Sequence, residues 1–340
     1  GRRLRFVEDL QVLGLDLDAD GAVQEVPADV NSRIDERSAL RDRGEYGQAD
    51  RIRGQLADEG YALSDGRERT RVRAKAPWEM TEQKRDTISS SAEVPSLVNL
   101  DNAFDYSIGV IANNYLGDVQ RCIESALKWV GDRSAEVIVV DNGSTDGTPD
   151  WLDELAQSED RVRVIHADHT LGEGAAKNIA LKQSLGKTIM LLDTSVELGG
   201  DIFDRIEEML DQTSVGLAGP FGLRTDDLHH FHEGEGESGE MDAMQAYCFA
   251  FRRDRLRDVG LMRESFRFYR NLDIDYSFHF KEQGFRVVAD QTLPVILHEH
   301  RVWSELAEGE RDELSRKNYG RFLDKWGQRT DLLASNRQTP

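Results

Sequence analysis

Apolar residues recur along the chain in two rhythms. Over residues 30–59 they return every three to four positions, with Ile34 and Leu40 in one stretch and Ala49, Ile52 and Leu56 in the next. That spacing predicts two helices, 30–43 and 45–59, broken at Gly44 and ended at Gly60, where a helix favours a left-handed residue. From residue 106 the rhythm changes. SIGVIA (107–112), EVIVVD (136–141), RVRVIHA (161–167) and TIMLLD (188–193) are near-continuous apolar runs, as in strands covered on both faces. Between them lie GDVQRCIESALKWV (117–130), residues 149–156 and GEGAAKNIALKQSL (172–185), which read as helices; Val119, Cys122, Ile123 and Leu127 share one side of the first. This alternation predicts an α/β fold with a parallel, doubly wound sheet, whose ligands belong at the carboxyl ends of the strands.

Between the two rhythms, residues 76–105 hold two prolines, a serine run and weak periodicity. They are expected to form a linker or peripheral strap between a small helical domain (1–75) and the α/β domain (106–340). Further on, 243–260 alternates a strand with a short helix. A final helix over 308–326 carries Leu314, Tyr319, Phe322, Leu323 and Trp326 as packing or partner surface. No internal repeat is present.

The chain has 340 residues, with 43 Lys+Arg against 64 Asp+Glu, a net charge of −21. Residues 1–75 hold 14 basic and 16 acidic side chains, leaving 29 and 48, or −19, for the rest. Such acidity argues against a general binder of nucleic acid or anionic membrane, since both demand a basic footprint. Cys122 and Cys248 cannot build a disulfide framework, which points to a reducing, cytoplasmic setting. No run of 18 apolar residues is present, so no transmembrane segment is expected, and the opening GRRLRF lacks the apolar core of a signal peptide. Self-association stays open.

Candidate chemistry sits where the fold would put it. The strand ending at Val140 runs into DNGSTDGT (141–148), whose glycines allow a tight turn and whose polar side chains can pair with exposed amides or a ligand. The next buried strand delivers Asp193-Thr194-Ser195, a carboxylate at a sheet edge where a divalent cation can sit.

VIVVDNGSTDGT, the following Gly-x-x-x-Ala-x-Asn helix and the LLD strand end together resemble the inverting family 2 glycosyltransferases of GT-A fold, over residues 106 to about 325. The resemblance implies transfer of a sugar from a nucleotide-diphosphate donor, with UDP favoured and GDP or dTDP also used in the family, to an acceptor hydroxyl. It implies that Asp141 contacts the base, with Ala112 and Asn114 in the same pocket, and that Lys177 and Asn178 lie near the nucleotide. Asp193 matches the first carboxylate of the family's Asp-x-Asp motif for Mn²⁺ or Mg²⁺; Ser195 replaces the second. RNLDIDYSFHFKEQGFRV (270–287) resembles the Glu-Asp-x-Asp helix, with Leu272 in place of Glu. By position Asp273 is the general base and Asp275 a second, acceptor-side carboxylate. LPVILHEHRVW offers His298 and His300 as a further metal ligand, and the reading favours His298. The alternative reading is a degenerate GT-A domain that binds nucleotide or carbohydrate without transfer.

The run His229-His230-Phe231-His232-Glu233-Gly234-Glu235-Gly236-Glu237 fits no metal spacing and reads as a mobile acceptor-facing loop. IDERSALRDRGEYGQADRIRGQLADEGYALSDG (34–66) resembles the C-terminal helical segment of cysteinyl-tRNA synthetases, without their catalytic or zinc-binding signatures. Arg51, Arg53, Arg69, Arg71 and Arg73 are its candidate phosphate contacts. Because the segment is slightly acidic overall, a docking module is expected there rather than a tRNA binder.

Overall fold

In the computed structural model, which describes residues 16–17, 23–24, 26–43, 45–65, 70–74, 85–234 and 238–336, the predicted helices and strands form with small shifts. The chain divides into a unit up to Arg85 and a unit from Asp86 onward. In the first, α1 (Ala28–Asp42) and α2 (Tyr46–Asp58) bury Val30, Ile34 and Leu56 between them. Gly60, at φ 91°, turns the chain into β1 (Tyr61–Asp65), which pairs antiparallel with β2 (Thr70–Ala74). Arg51 and Arg53 are exposed. Gly44, Arg69 and the side chains of Arg71 and Arg73 lie outside the described residues.

The second unit begins 20 residues before the expected boundary at 106. β3 (Thr87–Ile88) adds to the edge of the main sheet, and the stretch after it is fastened along its length. The Leu97 amide donates to Lys182 O at 2.7 Å and the Ala103 amide to Leu185 O at 2.8 Å. Arg253, 3% exposed, donates to Ser184 O (2.7 Å), Leu100 O (2.8 Å), Asn102 Oδ1 (2.9 Å) and Leu97 O. Residues 86–105 are therefore a strap integral to this unit.

Along the chain the unit continues with β4 (Phe104–Ala112), α3 (Leu116–Val130), β5 (Ala135–Asp141), α4 (Thr148–Ser158), β6 (Val162–Ala167), α5 (Glu173–Gln183) and β7 (Gly186–Leu192). Next come β8 (Val196–Leu198), α6 (Phe203–Leu210), β9 (Val215–Gly219), β10 (Gly222–Arg224), β11 (His232–Glu233), β12 (Gly239–Met241) and β13 (Ala243–Met244). The last elements are β14 (Cys248–Arg252), α7 (Leu256–Val259), α8 (Leu272–Glu282), β15 (Arg286–Ala289), β16 (Val295–Leu297), α9 (Arg301–Glu305) and α10 (Glu308–Trp326).

Nine strands form one sheet in the order β12-β15-β9-β14-β7-β4-β5-β6-β3. Every residue of β5 is buried, as its unbroken apolar run requires when helices cover both faces. One layer packs Val119, Cys122, Ile123 and Ala126 of α3 with Phe203 and Ile206 of α6. The other packs Ile179 and Ala180 of α5 with Tyr276, Phe278 and Phe280 of α8 and Phe322 and Trp326 of α10. The sheet is mostly parallel, the α/β arrangement of the GT-A fold. It departs from the simple alternation at β14, which runs antiparallel to both β7 and β9. That reversal brings the start of β14 beside the end of β7, where the Asp193 amide donates to Tyr247 O at 2.9 Å.

Candidate active site

The carboxyl ends of β4 and β5 lie side by side, with Ala112 opposite Asp141 in register. Beyond them the chain takes left-handed conformations at Asn114 and Tyr115, both at φ 60°. The DNGSTDGT turn is knitted to this corner. The Asn114 amide donates to Ser144 Oγ at 2.8 Å, and Asn114 Oδ1 accepts from the Thr145 amide at 2.7 Å. Asn113 Nδ2 donates to Asn142 O (3.0 Å), and Asn142 Oδ1 accepts from the Leu171 amide (2.8 Å). Gly143 has φ +77°, and a Cβ there would stand 2.5 Å from the His169 carbonyl carbon. Asp141 is buried; its Oδ1 accepts from the Ser144 amide (3.0 Å) and its Oδ2 meets His166 Nδ1 (2.8 Å). Ala112, Asn114 and Asp141 thus come together at the carboxyl edge of the sheet; Ala112 and Asp141 are buried, and none of the three lines either of the two cavities beside Asp193.

Asp193 leaves the end of β7 at the junction of two cavities. Its Oδ1 accepts from the Ser195 amide (2.9 Å) and Ser195 Oγ (2.5 Å), so the serine restrains this carboxylate where a second one was expected. Its Oδ2 lies 3.5 Å from His300 Nε2. Burial pushes the Asp193 carboxyl up, but His300, Ser195 and Lys177 outweigh that and hold it at about 2. His300 is stacked on Tyr269 (ring centroids 4.2 Å apart), and its Nδ1 lies 3.3 Å from the Trp303 amide.

His298, the histidine favoured from sequence, faces elsewhere. β8 and β16 pair antiparallel with Val196 opposite Leu297, and His298 Nε2 meets Glu197 Oε2 at 2.8 Å. The residue beside Asp193 is His300. A carboxylate oxygen and an imidazole nitrogen facing each other suit a divalent cation. Among the described residues no third His, Cys, Asp or Glu joins them, so a cation here would complete its shell from diphosphate oxygens and water.

The larger cavity, about 520 Å³, is lined by Lys177, Asp193, Tyr247, Tyr269, Asp273 and Tyr319, among others. Lys177 is buried and held by Glu173 at 2.5 Å. Burial acts to lower its pKa; Glu173, Asp193 and Asp273 outweigh this and raise it, so the ammonium stays charged. Asp273 opens α8 after Asn271, which takes φ 67°. Its Oδ2 accepts from the Ala246 amide (3.1 Å) and its Oδ1 from the Ile274 amide (2.9 Å). Burial nevertheless raises its pKa, against those amides and Lys177, which is the direction a proton acceptor needs. The smaller cavity, about 30 Å³, lies between Ile111, Asn113 and Tyr115 on one side and His300, Arg301 and Val302 on the other.

Two further expectations are corrected. Asp275, two residues beyond Asp273, is fully buried on the far side of α8, where its Oδ1 accepts from Trp326 Nε1 (2.9 Å) and pairs with Arg263 (3.0 Å). It anchors α10 instead of serving an acceptor. Asn178 is 1% exposed; its amide donates to Met262 O (2.9 Å) and Glu264 Oε1 (3.0 Å), and its Oδ1 accepts from the Met262 amide (2.9 Å). It ties α5 to the loop after α7 and lines neither cavity. His229, His230, Phe231 and Glu233 do line the larger cavity, whereas 235–237 lie outside the described residues. Sequence reasoning missed His166 and Tyr269; a histidine closing a buried strand beside Asp141 was the available signal for the first.

Residues 107–270 match the model of glycosyl transferase family 2. The succinoglycan biosynthesis protein ExoO of Rhizobium meliloti (strain 1021) is 34% identical over 119 residues, 35% of this chain and 33% of that protein. The beta-monoglucosyldiacylglycerol synthase of Nostoc sp. (strain PCC 7120) is 24% identical over 218 residues, 59% of this chain and 45% of that protein. The matched part thus spans less than half the length of either relative. Among solved structures, GalNAc-T7 with UDP, GalNAc and Mn²⁺ superposes with a TM-score of 0.57 at 15% identity, covering 67% of this chain and 49% of that one. Residues 107–270 are thus similar to glycosyl transferase family 2, and the unit that holds them has the GT-A fold. No helix among the described residues is long and apolar enough to cross a membrane.

Proposed function

We propose that the chain is an inverting glycosyltransferase that moves a sugar from a nucleotide-diphosphate donor to an acceptor hydroxyl with a divalent cation. One observation carries this reading: Asp193, Lys177 and Asp273, from three separate elements, line one cavity of about 520 Å³. Inversion needs a single displacement at the anomeric carbon, hence one base for the incoming hydroxyl and positive charge for the leaving diphosphate. A carboxylate of Asp273 takes the hydroxyl proton, its basicity raised by burial. The Lys177 ammonium adds fixed positive charge to the same cavity wall. Asp193 and His300 would hold Mn²⁺ or Mg²⁺, which would supply charge neutralisation for the diphosphate; the Mn²⁺ and UDP bound by GalNAc-T7 support that choice. The corner of Ala112, Asn114 and Asp141 takes the base.

The test is a screen of UDP-, GDP- and dTDP-sugars against hydroxyl acceptors, with Mn²⁺, Mg²⁺ or chelator, read by product mass and anomeric configuration. The expected product is the inverted anomer, formed only with a cation, and lost by roughly 10²–10⁴-fold in Asp273→Asn. Tight nucleotide binding with no transfer from any donor would establish the degenerate binding domain instead.

A further inference from the structure

His166 closes β6 at the level of Asp141, its partner in register across the parallel pair. Its ring is buried between two carboxylates from different elements. Nδ1 lies 2.8 Å from Asp141 Oδ2 at the end of β5, and Nε2 lies 3.1 Å from Asp153 Oδ1 on α4. A neutral imidazole carries one proton and would turn a lone pair toward one of these anions. Only the doubly protonated ring donates to both.

We propose that His166 is a positioning residue for the donor nucleotide: held as an imidazolium between Asp141 and Asp153, it fixes the Asp141 carboxylate as an acceptor for an imide N–H of the base. The inference rests on the reading above, in which Asp141 contacts the base. Asp141 is a short side chain with one oxygen already holding the Ser144 amide. With His166 on the other oxygen, the carboxylate cannot rotate, and each oxygen keeps a second lone pair. An acceptor locked in this way suits uracil, thymine and guanine, which present an N–H between carbonyl or amino groups, and leaves adenine without that donor. The bridge also joins β5, β6 and α4, the elements flanking the DNGSTDGT turn.

Asp141 and Asp153 are the charged groups that face His166 across the neighbouring elements; β3, on the outer side, brings Thr87, which does not titrate. Burial acts to lower the His166 pKa, and the two carboxylates raise it past that, so its net direction is up. A raised histidine contributes in its protonated form, so the nucleotide site is complete below that pKa and loosens as pH rises through it.

The experiment is calorimetric titration of the full chain with UDP and with GDP, in excess Mn²⁺, from pH 6 to 8.5, for wild type, His166→Gln and Asp153→Asn, with melting temperature recorded at each pH. Wild-type affinity is expected to fall about tenfold as rising pH takes the proton from His166. His166→Gln should bind about tenfold more weakly at pH 6 with a flat profile, and Asp153→Asn should shift the wild-type profile to lower pH. A flat wild-type profile, or His166→Gln binding as wild type does while folded, overturns the inference. Absence of UDP and GDP binding at every pH overturns the donor reading instead.

Discussion

Asp273 and Asp275 stand two residues apart in the first turn of α8, yet Asp273 faces the 520 Å³ cavity while Asp275 holds Trp326 Nε1 at 2.9 Å beneath it. Residues at i and i+2 of a helix point to opposite sides. One carboxylate is therefore available to a substrate, and the other fastens the last helix to the core.

Asp275→Asn should cost stability and spare chemistry. The substitution leaves the Arg263 guanidinium without its carboxylate, and breaking a buried pair from one side costs about 3–5 kcal/mol. Arg263 is partly exposed, so the lower end applies. A denaturant titration should show that loss, with turnover per folded molecule unchanged. An Asp275→Asn protein of wild-type stability would contradict the anchoring role.

The histidines separate in the same manner. With UDP present, His300→Ala should weaken Mn²⁺ binding at least tenfold, about 1.4 kcal/mol, as read by the electron paramagnetic resonance signal of free Mn²⁺. His298→Ala, which loses only the half-exposed contact to Glu197, should bind Mn²⁺ as wild type does. The reverse ranking would return the metal position to His298.

Gly143→Ala addresses the turn itself. Its φ of +77° disfavours any side chain, and the new methyl would meet the backbone of His169 and Thr170. A loss of about 1–3 kcal/mol is expected from the backbone alone, with the steric conflict added. Since the turn also carries Ser144 and Thr145, UDP affinity should fall in calorimetry by more than tenfold. Unchanged binding would show that the nucleotide does not depend on this corner.

The parts that were legible in the sequence share a physical basis. β5 and β7 are buried on both faces, so their composition alone marks them, and Asp141 and Asp193 stand out as the first charged residues after apolar runs. Asp273 came instead from the resemblance of 270–287 to the family's Glu-Asp-x-Asp helix. Other features depend on pairing partners far along the chain. The β8–β16 register sends His298 toward Glu197 and lets the chain turn before His300 reaches Asp193. No local pattern near residue 298 encodes that. Asn178 sits on a helix buried nearly all round, so periodicity gave no sign of which way its amide points. The antiparallel β14 and the β1–β2 hairpin were hidden for the same reason: both are short, and their direction is set by what they pair with.

Arg253 gives the strap a consequence for where this domain can be cut. A protein trimmed to begin at residue 106, where the strand pattern first becomes plain, would keep the guanidinium but remove Leu97 O, Leu100 O and Asn102 Oδ1 from it. Only the Ser184 carbonyl would remain as a partner for a cation that is 3% exposed in the intact chain. An ion stripped of its acceptors in that position must draw in water or push the neighbouring strand ends apart. A piece that keeps all four acceptors begins near Asp86, and expression trials bracketing residues 86 and 106 are expected to separate a soluble domain from an aggregating one.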